Sequence, residues 1–257
     1  MDLELENAVI NVISIGTAGK SAVAHMKNSS IKDIEFIDED DVLHESLKNT
    51  ALLFLLADID EHTKIKAVAE IARELNILTI AVVTAALDNE KVAELEQVLD
   101  SIIIIPNDSI NTVDEILLNA VRGMTAPVTQ RGIIGFDFAD LKAITHRAGQ
   151  CVIGVGTAAG ENRAEEATEK ALSFALYAPI NLQNTYGLLL NISAQDIAIA
   201  EFDKAANIAR DLVSEDTIIK VGLVTDDSLA DDEMRVTVFA TGLGKKPKNT
   251  NKNRAKG

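Results

Sequence analysis

The chain has 257 residues, 47% of them hydrophobic and 25% charged, which describes a globular protein with one substantial core or two smaller ones. Its formal net charge of −16 argues against nucleic acid as the main partner. No apolar run reaches membrane-spanning length, the start Met1-Asp-Leu-Glu-Leu-Glu is not that of a signal peptide, and the single Cys151 excludes an internal disulfide, so a cytoplasmic protein without membrane insertion is expected.

Val9–Ile15 is a short apolar run and reads as a first strand. Gly16-Thr-Ala-Gly-Lys-Ser follows, then a helix-like stretch through Met26. In a strand, glycine turn and helix of this kind, N–H groups at the helix start favour an anion. Gly16, Gly19, Lys20 and Ser21 are therefore the candidate phosphate-binding residues. The run is too short by two positions for a Walker loop, and a strand-to-helix turn without a ligand is the other reading. Asp38-Glu-Asp-Asp41 puts four acids in a row, which would repel a triphosphate placed beside them. Thr50–Leu56 is the next strand, and the acids Asp58, Asp60 and Glu61 come directly after it. Ile65, Val68, Ala69, Ile71, Ala72 and Leu75 mark one face of a helix, and Ile77–Thr84 reads as a buried strand.

The second half is regular. Strands are predicted at Cys151–Thr157, Tyr186–Ile192, Ile218–Val224 and Arg235–Thr241, with helices at Asn162–Leu176 and Glu201–Leu212 between them. Alternating strands and helices argue for an α/β fold in two parts. Cys151 lies in an apolar run and is expected to be buried packing, not a reactive thiol. His25, His44, His62 and His146 show no metal spacing, so no metal site is expected. No serine sits on a nucleophile elbow. Residues 245–257 hold six Lys or Arg and no acid, and read as a basic disordered tail.

The most informative stretch is Gly132-Ile-Ile-Gly-Phe-Asp-Phe-Ala-Asp140, ahead of a helix over Leu141–Arg147. Asp137 and Asp140 are three apart. With Asp140 capping or opening the helix, Asp137 falls in the preceding turn, free to point outward. Such a pair suits the polarisation of a water molecule. It also suits an ordinary helix start.

This stretch resembles the catalytic loop of the bacterial cell-division GTPase FtsZ, a relative of tubulin, in which Asn stands where this chain has Gly135. Gly154-Val-Gly-Thr-Ala-Ala-Gly-Glu-Asn-Arg-Ala resembles a second family segment, and Arg235-Val-Thr-Val-Phe-Ala-Thr-Gly its last core strand. The match is specific over Gly132–Gly242 and patchy upstream. The resemblance implies an FtsZ/tubulin-like α/β fold: a reduced Rossmann-like N-terminal half over residues 1–111, a central linking helix over 112–131, and an α/β C-terminal half over 132–244, before the tail. It aligns Gly16–Ser21 with the family's glycine-rich first loop, with Ser21 in place of an Asn, and Ala57–Lys66 with the glycine-rich signature loop around the phosphates, none of whose glycines is present. Ile34–Ile37 resembles the family's second strand and Ser101–Asp108 a later strand and turn, while Glu115 takes the place of a base-recognising Asp.

In this family one subunit holds GTP and the next supplies the catalytic loop. The resemblance therefore implies a preserved donor loop, with Asp137 and Asp140 acting on a neighbouring subunit, and a degenerate nucleotide face at Gly16, Gly19, Lys20 and Ser21. The first reading is a protein without its own GTPase cycle and with no cofactor, which docks on FtsZ or on itself through Gly132–Asp140 and caps or co-assembles with filaments. The alternative is a divergent GTPase that still binds GTP and magnesium and polymerises. A folded remnant without a filament partner is the third.

Overall fold

The computed structural model describes residues 9–29, 31, 33–42, 44–85, 90–106, 113–129, 133–175 and 182–243. The predictions for the tail 245–257, for Gly132 and for the turn at Asn107-Asp108 lie outside these residues.

The elements follow the sequence pattern closely. In the first half they are β1 (Val9–Ser14), α1 (Gly16–Lys27), β2 (Glu35–Asp38), β3 (Thr50–Asp58), α2 (His62–Glu74), β4 (Leu78–Ala85), α3 (Glu90–Leu95) and β5 (Ser101–Pro106). The long helix α4 (Val113–Thr129) leads to α5 (Phe138–Thr145). The second half contains β6 (Gly149–Ala159), α6 (Arg163–Ala175), β7 (Gly187–Ala194), α7 (Ile199–Asp211), β8 (Ile218–Thr225) and β9 (Glu233–Thr241).

The nine strands among the described residues join one sheet in the order β2-β1-β3-β4-β5-β6-β9-β7-β8. The first half is parallel throughout, and its strands are near-continuous apolar runs because helices cover both faces. Leu52, Leu53, Phe54, Leu55 and Leu56 of β3 are fully buried. The α1 and α4 side of the sheet forms one core with Met26, Val121, Met124 and Phe54, and the α2 and α3 side a second with Ile65, Ala69 and Leu95. The antiparallel pairs β6–β9 and β7–β9 carry the second half, whose third core packs against α6 and α7.

The sequence reads as two parts, yet the sheet is continuous across them. Ser101, Ile102 and Ile103 of β5 pair in parallel with Gly149, Gln150 and Cys151 of β6. The first core also crosses the junction, since it includes Phe136, Leu141, Leu189 and Phe239. Helix α4 lies close enough to β9 that a Cβ on Gly123 would come within 2.4 Å of the Thr237 Cγ2.

Candidate functional site

The candidate residues picked from the sequence fall in two regions, at opposite ends of α4. Seventeen residues at 1.5 Å rise make that helix about 25 Å long. The first region lies at the carboxyl ends of the parallel strands β1, β3 and β4, where ligands of open α/β sheets bind.

Gly16 has a φ of +68°, the left-handed conformation that a glycine adopts without strain, and so turns the chain from β1 into α1. Gly19 has a packing reason: its Cβ would sit 2.1 Å from the Leu56 carbonyl oxygen, so α1 approaches β3 closely only with glycine there. Ser21 is exposed and donates from its Oγ to the Asp114 Oδ2 at 2.8 Å, tying α1 to the start of α4. Glu115, beside it, is exposed.

Lys20 does meet an anion, and that anion is Glu39. The Glu39 carboxylate lies 2.9 Å from the Lys20 Nζ and 3.3 Å from the Lys64 Nζ, and it accepts a 3.4 Å hydrogen bond from the Gly16 N–H. The Glu39 side chain is 13% exposed. The Lys20 ammonium, foremost, holds the Glu39 carboxyl below the usual carboxylate range, and Glu39 in turn raises the Lys20 pKa. The acidic run is thus not uniformly repulsive, because one of its four members is neutralised by two lysines distant in sequence.

The segment after β3 is a single 3₁₀ turn, Ile59–Glu61, feeding α2. Asp58 caps it, accepting from the Asp60 N–H at 2.9 Å and from the Thr84 Oγ1 at 2.7 Å. Glu61 pairs with Lys64 at 3.2 Å, and its side chain lies over Gly16, where a Cβ would meet the Glu61 Cγ at 2.9 Å. Asp60 pairs with Lys91 at 2.5 Å. Each acid that follows β3 therefore has a structural partner.

The second region is the loop between α4 and α5. Here the structure corrects the capping assignment: Asp137, not Asp140, is the N-cap of α5. The Asp137 Oδ1 accepts from the Asp140 N–H at 2.8 Å, and the Asp140 Oδ2 accepts from the Asp137 N–H at 3.3 Å. Asp140 is the third residue of the helix, so the spacing of three that the sequence displays is that of a reciprocal capping box. The Lys220 Nζ lies 2.5 Å from the Asp140 Oδ1, so Asp140 is neutralised while Asp137 stays exposed.

Ile134 exchanges backbone hydrogen bonds with Leu223 of β8, at 2.6 and 3.3 Å, which ties the loop to the sheet. Gly135 passes close to α4, since a Cβ there would stand 3.2 Å from the Pro127 carbonyl oxygen. Phe136 and Phe138 are buried, whereas Ile133 is 69% exposed, a large apolar side chain beside the exposed Asp137. The exposure of Ile133 is invisible in sequence, because an Ile-Ile pair reads as core. Among the described residues no group of His, Cys, Asp and Glu is arranged to hold a metal, and no helix is long and apolar enough to cross a membrane.

A parallel sheet with an anion-type turn after its first strand, joined by one long helix to a mixed second half, is the FtsZ/tubulin-like architecture. The FtsZ of M. jannaschii superposes with a TM-score of 0.82 at 22% identity, covering 92% of this chain and 91% of that one. The GDP-bound CetZ1 monomer of Haloferax volcanii superposes at 0.66 with 10% identity, covering 93% and 95%. The FtsZ family C-terminal domain matches residues 149–244. The cell division protein FtsZ of Pseudomonas aeruginosa is 31% identical over 309 residues, covering 93% of this chain and 78% of that protein. The chain therefore belongs to the FtsZ family of cell-division proteins. The similarity reaches well upstream of Gly132, further than the motifs alone carry it. The aligned span also exceeds the 257 residues of this chain, so the relative has segments with no counterpart here.

Proposed function

We propose that this chain is an FtsZ-family subunit without a GTP cycle of its own, which docks its Asp137/Asp140 loop on the nucleotide face of an FtsZ and limits the filament there. One observation carries the reading: the Gly16 N–H and the Lys20 and Lys64 ammonium groups, the donors that a phosphate would use, are engaged by Glu39. The residues present do not suit a triphosphate. Glu61 lies over Gly16, and the Asp58–Glu61 turn supplies carboxylates at the carboxyl end of β3, where the family signature supplies glycine N–H groups. A triphosphate would have to displace Glu39, whose side chain is 13% exposed, from Lys20, Lys64 and the Gly16 N–H.

The donor side supports the other half of the reading. The capping box of α5 and the Lys220 pair tie residues 137–140 in place, and Ile133 and Asp137 are exposed beside them. On a partner that bears nucleotide, a bound magnesium ion offsets the repulsion between Asp137 and phosphate.

The second reading is a divergent GTPase that binds GTP and magnesium and polymerises with itself. The 31% identity to an FtsZ over 93% of the chain favours it, as does the Gly16 turn into α1. Calorimetry with GTP and magnesium on the purified protein separates the two. The expected result is no binding at micromolar GTP. Micromolar affinity overturns the first reading and puts the second in its place.

A further inference from the structure

A cavity of about 450 Å³ opens at the amino ends of β4, β5 and β6, the opposite end of the parallel strands from Glu39. It lies between the halves, with α2, β4 and the segment after α3 on one side and the end of α5 and the start of β6 on the other. Its apolar part comes from Ile77, Leu78 and Leu99, all buried. Its charged part is unusual for so acidic a protein, because Arg73, Lys142 and Arg147 all line it.

Two acids line it as well, and one of them is already committed. The Asp100 carboxylate accepts from the Thr79 N–H at 3.0 Å and the Arg147 N–H at 3.3 Å, and lies 2.7 Å from the His146 Nδ1. The side chains of Arg73, Lys142 and Arg147 have no ion-pair partner among the described residues. Glu96, near Gly149, is the other acid. Three exposed cations without an ion-pair partner among the described residues thus line the cavity together with Glu96.

The backbone adds a separate observation. Asn76 and Arg147 have φ values of +57° and +53°, and both line this cavity. Asn76 closes α2 as an ordinary helix end, its N–H on the Arg73 carbonyl oxygen at 3.1 Å and the Ile77 N–H on that of Ala72 at 2.9 Å, so only at Arg147 does the left-handed backbone work against the side chain. At Arg147 the strained backbone is pinned by Asp100.

We infer that this cavity is a binding site for a small organic phosphate. Arg73, Lys142 and Arg147 take the phosphate, and Glu96 accepts from a ligand hydroxyl. The volume falls within the range of small-molecule pockets, about 300–1,000 Å³. The inference is independent of what binds at α1.

Ribose 5-phosphate is a suitable probe, followed by calorimetry at low salt with the full chain. The wild type is expected to bind it at submillimolar concentration and to gain thermal stability from it. Lys142→Gln and Arg147→Gly should each weaken binding about tenfold, the loss of one charge-assisted contact. Arg147→Gly removes the cation while relieving the left-handed strain, so the variant should fold at least as well as the wild type. Absence of binding by the wild type at millimolar probe overturns the inference, as does equal binding by the wild type and both variants.

Discussion

Replacing Asp137 by Ala and, separately, by Asn divides the two roles that its position allows. The carboxylate caps α5 by accepting from the Asp140 N–H at 2.8 Å, and Asp140 returns a bond to the Asp137 N–H at 3.3 Å. Alanine removes the first bond and leaves the Asp140 N–H to the water around the exposed Asp137 position. N-cap losses span about 0.5–2 kcal/mol, and solvent access sets this one near 1 kcal/mol. For a chain of this size that lowers the melting temperature by about 2–4 °C. Asparagine caps a helix about as well as aspartate, so Asp137→Asn should stay within about 0.5 kcal/mol of the wild type. The assay is thermal and urea unfolding followed by circular dichroism. The same proteins, added substoichiometrically to FtsZ and GTP, are then tested by sedimentation of filaments. If the outward carboxylate does the work on a partner, Asp137→Asn should lose the filament effect while keeping its stability. An Asn variant as unstable as the Ala variant would refute the capping argument. An Asn variant that shortens filaments like the wild type would refute the role of the carboxylate.

Gly19→Ala should destabilise the protein by roughly 2–3 kcal/mol in urea unfolding, because its Cβ would stand 2.1 Å from the Leu56 carbonyl oxygen and neither backbone moves easily; a change below about 0.5 kcal/mol would refute the packing explanation. Arg163 bonds both oxygens of Glu201, at 2.7 and 3.0 Å, and the carbonyls of Asp196 and Asp231, so Arg163→Ala should cost about 2–3 kcal/mol, between the surface and buried limits for ion pairs. Arg163, above all, depresses the Glu201 pKa in the folded state, so the pair's contribution is complete above the unfolded glutamate value and is lost as pH falls through the folded one. Wild type and Arg163→Ala should therefore converge in stability on acidification below about pH 4.3, and a gap that widens there contradicts the linkage. Burial pushes the Cys151 thiol up to about 12, so it should resist a thiol reagent at pH 8 until the protein unfolds, and rapid native labelling would contradict its burial.

Most of the fold was legible in the chain itself. The apolar runs at Val9, Thr50, Ile77 and Ser101 are strands because side chains buried on both faces of a parallel sheet must be apolar. The helical face beginning at Ile65 was equally plain, since Ile65, Val68, Ala69 and Ala72 recur at helical spacing and are buried together. The spacing of Asp137 and Asp140 announced a helix start, although which of the two capped it depended on where α5 begins, a matter of one turn that spacing leaves open. Sequence also marked Gly16, Gly19, Lys20 and Ser21 as a group, but tertiary structure gave them different tasks: a left-handed turn, a close approach to β3, a pair with Glu39 and a bond to Asp114. Those partners come from β3, the segment after β2 and α4, and no local pattern encodes them. The continuity of the sheet from β5 into β6, and the gathering of Arg73 with Lys142 and Arg147, have the same origin. Periodicity reports which face of an element is buried. What that face meets, and which distant charge ends beside it, is decided only when the elements pack.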